Sequence, residues 1–196
     1  MTETQTQTTR LKPLQPPYEP AVASTLAKWM PPGDAVEPLA LFRTLTLNEP
    51  LASRMRPLGA GILGRSALIA PALREVMIHR TCALAGAEYE WGVHAVAFGV
   101  PLGFSEEQLY STVYGSRSDD CWAPAQACVF ALADELHASS TISDELWADL
   151  QAHFDDAQIL ELLATAGWYH LIAYVCNGAR VQHEPWARRF PPRAEP

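Results

Sequence analysis

Apolar and polar positions along the chain follow helical patterns rather than strand-like ones. Alternation over strand lengths is scarce, and start and stop signals recur at helix-length intervals. The segments predicted as helices from residue 71 onward are PALREVMIHRTCALA, AEYEWGVHAVAFG, SEEQLYSTVYG, APAQACVFALADELHASS, SDELWADLQAHF and DAQILELLATAGWYHLIAYVCNG. Upstream, residues 20–64 are predicted to hold two or three shorter helices, punctuated by Pro31, Pro32, Pro38, Pro50 and Pro57. The predicted fold class is all-α.

Capping residues place the ends of several of these helices. Ser105, with Gln108 three positions later, has the sequence signature of a capping box. Asp155 precedes the last helix as a predicted N-cap, and the Asn-Gly pair at 177–178 is predicted to end it. Gly86 interrupts the apolar pattern that begins near residue 71. We therefore expect a turn at this glycine between two helices.

The length of 196 residues corresponds to one domain with extensions. Residues 1–20 are polar and then proline-rich, and we expect a flexible N-terminal arm. Residues 21–182 form the single helical domain, and 183–196 form a C-terminal tail. The tail is either exposed or docked through Trp186 and Phe190, and the sequence leaves both open.

The amino-acid composition argues against several classes of function. The net charge of −8 and the pI of about 5.2 argue against nucleic acid and against an anionic membrane surface as partners. Lysine occurs only at Lys12 and Lys28, which excludes Schiff-base chemistry from the body of the chain. Charged residues make up 18%, below the usual value of about 25%, so part of the surface is expected not to face water.

The expected location is the cytoplasm, without membrane insertion. No apolar signal segment opens the sequence, and the late apolar stretch 163–176 is too short to span a bilayer. The four cysteines, Cys82, Cys121, Cys128 and Cys176, show no C-x-x-C spacing and are expected to be reduced packing residues.

The densest group of ionisable residues lies between residues 74 and 94. Glu75 and His79 are four residues apart, as are Glu90 and His94, so each pair shares one helical face. On one unbroken helix the two pairs would lie roughly 22 Å apart. A turn at Gly86 would bring them together, so this glycine decides whether they form one site.

Three blocks of this sequence resemble the carboxymuconolactone decarboxylase family, which includes the alkylhydroperoxidase D-like peroxidases. The blocks are LREVMIHRTCALAGAEYEWGVHAVAFG, ADELHASSTISDELWADL and ELLATAGWYHLIAYVCN, in the family's order, and they cover roughly residues 40–180. The resemblance implies an alkylhydroperoxidase D-like helical bundle. It also implies a homo-oligomer, a trimer or hexamer, with sites near subunit contacts.

The peroxidase branch of the resembled family carries a C-x-x-C between the glutamate and the histidine that match Glu75 and His94. Ala87 and Glu90 hold the two cysteine positions in this chain. Without the dithiol, the thiol peroxidase reaction of the family is not expected at this site. Cys82 is either a reactive thiol or, more in keeping with its apolar surroundings, a packed and inert residue.

A Glu/His site without a dithiol is suited to proton transfer. His94 is the candidate catalytic acid/base, with Glu90 or Glu75 orienting its ring. The candidate substrate-binding residues are Tyr89, Trp91, His79, Arg80 and His170. For His170 a position in the core is the favoured interpretation. The structural alternative for the whole cluster is a buried ion-pair network that joins two helices or subunits.

The leading functional hypothesis is a cofactor-free, carboxymuconolactone decarboxylase-like lyase or isomerase that acts on a small organic acid or lactone. A peroxidase-related antioxidant protein and a non-catalytic binding or assembly protein are the alternatives. Two Glu-x-x-x-His pairs on facing helices also match a metal site for iron, manganese or zinc. The spacing differs from that of di-iron bundles, so no metal is expected.

Overall fold

The structure is a computed structural model that describes residues 8–30 and 37–193 of the chain. Within these ranges the chain forms nine α-helices and no strand, which confirms the all-α prediction. The helices are α1 (Pro20–Trp29), α2 (Ala40–Leu45), α3 (Glu49–Leu63), α4 (Pro71–Leu84), α5 (Glu88–His94), α6 (Glu106–Tyr114), α7 (Pro124–Ser139), α8 (Asp144–His153) and α9 (Asp156–Ala179). A 3₁₀ turn (Thr46–Asn48) follows α2, and a π-helical turn (Ala95–Gly99) continues α5.

Helix α4 lies at the centre of the bundle. It packs against α5, α6, α7 and α9, and its residues Val76, Met77 and Ile78 are completely buried. Because α4 is surrounded on every side, it carries apolar residues around most of its circumference and shows little amphipathic contrast. Polar groups on this helix, such as Glu75, are therefore forced into the interior.

The connection between α4 and α5 is the turn predicted at Gly86. This glycine adopts φ +63°, a left-handed conformation that favours glycine. The Ala87 N–H donates to the carbonyl of Cys82 at 2.8 Å, which closes the end of α4. The chain then reverses into α5, which packs beside α4.

Two boundary predictions are confirmed, and two are wrong. Ser105 and Gln108 form the predicted capping box of α6, and the Asp155 side chain accepts from the Gln158 N–H at the start of α9. The Asn-Gly pair at 177–178 does not end α9, because Arg180, at φ 52°, takes the left-handed position instead. Pro57 lies within α3 rather than at its end, since buried residues on both sides of it hold the helix against its neighbours.

The two ends of the described chain lie against the bundle. Backbone N–H groups of Arg10 and Leu11 donate to the carbonyl of Ala179 at the end of α9. The C-terminal segment 181–193 crosses α5, where the Phe190 N–H donates to Glu88 at 2.8 Å. Of the segments assigned to an arm and a tail, residues 1–7 and 194–196 lie outside the described residues.

Helix α9 is the longest helix of the described chain, with 24 residues. By length and composition alone it could cross a membrane, since an 18-residue window reaches a mean hydropathy of 1.4. Half of that window is buried inside the bundle. Core helices of globular proteins have the same properties.

Candidate active site

The turn at Gly86 brings the two Glu/His pairs together. Glu75 on α4 and His94 on α5 are 19 residues apart in sequence, yet His94 Nδ1 lies 2.9 Å from Glu75 Oε2. Both side chains are buried. The strongest contact is therefore made between the two pairs and not within either one.

The other ring nitrogen of His94 faces two polar groups. Its Nε2 lies 3.1 Å from the Tyr169 hydroxyl of α9 and 3.6 Å from Glu90 Oε1 on its own helix. Tyr169 was not among the residues expected from the sequence, which pointed to its neighbour His170. One residue along a helix rotates the side chain by about 100°, so adjacent residues face different surroundings.

Burial and charge set the protonation of this cluster. Burial acts most strongly on His94 and opposes its charge, but the carboxylates of Glu75 and Glu90 outweigh it and raise the pKa of the imidazole to about 9. Burial likewise opposes the charge of Glu75, and the adjacent His94 lowers the pKa of that carboxyl despite it. At neutral pH the pair is an imidazolium and a carboxylate.

His79 contacts the same carboxylate from the other side and stays neutral. It is completely buried, and burial lowers its pKa to about 4. Its Nδ1 lies 2.7 Å from the backbone oxygen of Glu75, and its ring stacks on Phe104 at a centroid distance of 5.5 Å. This environment supports the position of Glu75 rather than contact with a substrate.

A cavity of about 350 Å³ adjoins the cluster. His94, Glu90 and Tyr169 line one end of it, and Phe98 of the π-helical turn stacks on the His94 ring at a centroid distance of 4.8 Å. The remaining lining is largely apolar and comes from α1, α2, α3, α9 and the C-terminal segment. Glu90 Oε2 is buried and has no hydrogen-bond partner among the described residues. Acid and base groups therefore border a partly open, mostly apolar cavity.

None of the five candidate substrate-binding residues lines this cavity, and besides His79 there are four to place. Each is held elsewhere by a specific partner. Arg80 pairs with Asp134 at 2.6 Å, the Tyr89 hydroxyl donates to Glu184 at 2.6 Å, and the indole N–H of Trp91 donates to Thr112 at 3.0 Å. His170 lies in a separate groove, where its ring is 5.4 Å from that of His137.

Among the described residues, the geometry favours neither a reactive cysteine nor a metal site. Cys82 and Cys176 are buried, and burial raises the pKa of each thiol well above its usual value. All four cysteines are free. Within residues 8–30 and 37–193, no group of three or more His, Cys, Asp or Glu residues is arranged to hold a metal ion.

Solved structures that resemble this one include two of the debrominase Bmp8. A cysteine-to-alanine variant of the debrominase Bmp8 in complex with 2,3,4-tribromopyrrole has a TM-score of 0.75 at 15% identity, over 92% of this chain and 94% of that chain. Apo Bmp8 has a TM-score of 0.73 at 14% identity, over 91% and 94%. A protein of unknown function from Agrobacterium tumefaciens, with a proposed assignment as the antioxidant defence protein AhpD, has a TM-score of 0.64 at 18% identity, over 71% and 94%.

This chain has the alkylhydroperoxidase D-like fold. No protein-family model matches its sequence, and no curated protein does. In this chain the contact with Glu75 holds His94, which lines the cavity.

Proposed function

We propose that the chain is a cofactor-free proton-transfer enzyme of the lyase or isomerase type. Its substrate is a small organic molecule with an acidic C–H next to a carbonyl, such as a lactone or an unsaturated organic acid. The observation that carries this proposal is the pairing of a carboxylate, Glu90, with a protonated imidazole, His94, 3.6 Å apart at the end of one cavity. Enolisation needs a base that removes the C–H proton and an acid that stabilises the carbonyl oxygen of the same substrate.

Glu90 supplies the base. The residue lines the cavity, and its buried Oε2 has no hydrogen-bond partner among the described residues, so the carboxylate has free capacity to accept a proton. The sequence suggested an orienting role for Glu90 or Glu75. The geometry supports that role for Glu75, which holds His94 Nδ1, and leaves Glu90 for the chemistry.

His94 and Tyr169 stabilise the charge that develops on the substrate oxygen. The Nε2–H of the imidazolium and the phenolic O–H of Tyr169 lie 3.1 Å apart, and both residues line the cavity. Donors placed in a site with little water stabilise an enolate far better than donors in solution. Glu75 keeps the ring in one orientation and keeps it charged.

The proton balance closes without a cofactor. In isomerisation, Glu90 accepts the proton from one carbon and returns it to another, while His94 keeps its own. In decarboxylation, carbon dioxide leaves with the C–C bond broken, and His94 protonates the resulting enolate carbon and is recharged from water. Both routes use His94 and Tyr169, and isomerisation uses Glu90 in addition.

The test is hydrogen exchange in heavy water. Proton NMR follows loss of the α-proton signal from a panel of butenolides and unsaturated carboxylic acids. We expect wild-type protein to accelerate exchange of at least one compound, and His94→Asn and Glu90→Gln each to lower the rate by roughly 100- to 10,000-fold. The exposed His153→Asn is the matched control and should match wild type. Equal exchange rates in wild type and His94→Asn would leave the cluster with a structural role only.

Peroxidase activity is the second candidate, because an AhpD-assigned protein shares the fold. The buried, hard-to-ionise thiols of Cys82 and Cys176 weigh against it. Hydroperoxide turnover with a dithiol reductant that is lost in Cys82→Ser without loss of folding would favour this candidate over the first.

The four free cysteines support our further proposal that the protein acts in the reducing cytoplasm.

A further inference from the structure

We infer that the substrate of this site is a planar, largely apolar molecule of one or two rings, and that Trp186 is the residue that holds its outer edge. The inference rests on the proposed function and names the substrate class for it. Planar, largely apolar ring compounds are a narrower class than the small organic acids and lactones that the sequence suggested.

The walls of the cavity are aromatic. Trp29 and Phe42 lie against each other with ring centroids 4.8 Å apart, and both line the cavity together with Phe98, Trp168 and Trp186. Aromatic side chains gain additional attraction from an offset-stacked or edge-on ring, which a saturated skeleton does not supply. Five such residues around one space favour a flat, unsaturated ligand.

Charge on the walls is confined to two places. Glu90 and His94 stand at the inner end, and among the described lining residues the other charged groups are Lys28 and Arg56. Lys28 is exposed, and the Arg56 side chain donates to its backbone oxygen at 2.8 Å, so both mark the solvent side. A ligand with charges along its body would lose hydration against apolar walls and find no partner.

The volume of the cavity limits the size of the ligand. About 350 Å³ is near the lower end of the roughly 300–1,000 Å³ typical of small-molecule sites. One or two fused rings with a carbonyl or hydroxyl group fit this space. The polar edge then faces Glu90, His94 and Tyr169.

Trp186 reaches the cavity from a turn that is held on both sides. The Ala187 N–H donates to the Glu184 carbonyl at 3.0 Å and closes the turn. The carboxylate of Glu184 accepts from the Tyr89 hydroxyl and from the Ala40 N–H, each at 2.6 Å. One carboxylate thereby ties the turn to α5 and to the first residue of α2.

The far side of the turn is fixed at Arg188. Its N–H donates to the Gly92 carbonyl of α5, and its guanidinium makes two 2.8 Å hydrogen bonds to Glu106. Trp186 is 45% exposed and also lines the cavity, so it stands at the mouth with one part towards the ligand and one towards water. A clamped aromatic residue at a mouth selects ligands by the shape of their outer edge.

Calorimetric titration of the whole protein at pH 7 tests the inference with defined probes. 2-Naphthol is planar and apolar with one hydroxyl, 2-decalol has the same skeleton saturated and puckered, and naphthalene-2,6-dicarboxylate is planar and doubly charged. We expect 2-naphthol to bind at least 10-fold more tightly than either of the others. Trp186→Leu should weaken 2-naphthol binding by about 3- to 10-fold and leave 2-decalol binding unchanged.

Two further variants complete the experiment. Trp186→Phe should retain most of the affinity, because the ring contact remains. Trp147→Leu removes a tryptophan of similar exposure, 39%, that does not line the cavity, and should bind 2-naphthol as wild type does. Circular dichroism verifies that each variant is folded.

Binding and turnover separate this inference from the proposed function. Equal affinity for 2-naphthol and 2-decalol, or unchanged 2-naphthol affinity in a folded Trp186→Leu, overturns the inference, even if proton exchange is catalysed. Tight, Trp186-dependent binding of 2-naphthol supports it. If no proton exchange occurs alongside that binding, the ring-binding site stands and the proposed reaction fails.

Discussion

Glu75 and Glu90 each stand four residues before a histidine, yet their carboxylates lie in different surroundings. Glu75 is completely buried between His94, His79 and the guanidinium of Arg74, whose Nε is 4.0 Å from it. Glu90 lines the cavity and has one oxygen without a partner among the described residues. Removing the negative charge has a different consequence at each position.

The exchange of each glutamate for glutamine separates a positioning role from a catalytic one. Glu75→Gln leaves the buried His94 without its main counter-charge and should lower the free energy of unfolding by about 3 kcal/mol. Glu90→Gln should cost less than about 1 kcal/mol, because its side chain faces the cavity. Urea unfolding measures both. In an NMR titration, the pKa of His94 should fall far more in Glu75→Gln than in Glu90→Gln.

The raised pKa of His94 makes stability depend on pH. Folding raises this pKa from 6.5 to about 9, so the folded protein holds the proton more tightly than the unfolded chain. The resulting stabilisation is fully present below about pH 6.5 and is lost as the pH rises to about 9. We expect the urea midpoint to fall across this interval, and to fall less in His94→Asn. A wild-type midpoint that rises relative to the variant would contradict the charged pair.

At the scale of elements, the contact between α5 and the C-terminal segment depends on a residue without a side chain. A Cβ at Gly92 would run into the backbone carbonyl oxygen of Arg188. The preceding residue, Trp91, packs against Phe190 of the same segment at a centroid distance of 5.4 Å. Helix α5 therefore carries the proposed catalytic residues and also contacts the C-terminal segment that forms the cavity mouth.

Gly92→Ala should displace the C-terminal segment while sparing the helix itself. We expect a loss of about 1–3 kcal/mol in unfolding free energy, together with faster hydrogen exchange in residues 184–190. The control is Gly61→Ala in α3, where a Cβ meets nothing within 4 Å. Alanine favours a helix more than glycine does, so this variant should be as stable as wild type or more stable by up to about 1 kcal/mol. Equal protection of residues 184–190 in both variants would show that the segment does not depend on Gly92.

At the scale of the whole molecule, α9 is apolar on its exposed side as well as on the side that is buried in the bundle. Its outer face carries Leu160, Ala164, Gly167, Leu171 and Tyr174, at alternating spacings of four and three residues. No Asp, Glu, Lys or Arg occurs between residues 162 and 179. Leu160 and Tyr174 are 67% and 69% exposed. This heptad-like spacing of large and small residues suits close packing against the same helix of a second copy.

Self-association through α9 is therefore a specific expectation. Light scattering at micromolar concentration should give at least twice the 21.5 kDa of one chain. Tyr174→Glu should shift the mass towards that of the single chain, because a charge would be buried in the contact. Leu58→Glu, at an exposed leucine of α3, is the control and should not. A monomeric wild-type protein would contradict both this face and the trimer or hexamer implied by the family resemblance.

The sequence by itself determined the helices, most of their caps, and the turn at Gly86. These features depend on residues within one or two turns of each other, and local periodicity and capping chemistry report on such distances. It also placed Glu75 and His94 in one candidate group. It could not exclude Arg80 or Trp91 from the site, because a polar residue inside a helix looks the same whether its partner is a substrate or another side chain.

Only the tertiary structure decided which side chains share the cavity. His94 meets Tyr169 across 75 positions, and Tyr89 meets Glu184 across 95. Such pairs depend on the angle and rotation at which whole helices pack, which no local pattern specifies. The same holds for Trp186, whose place at the mouth depends on how a segment without helix crosses α5. Local chemistry set the elements, and long-range packing set the site.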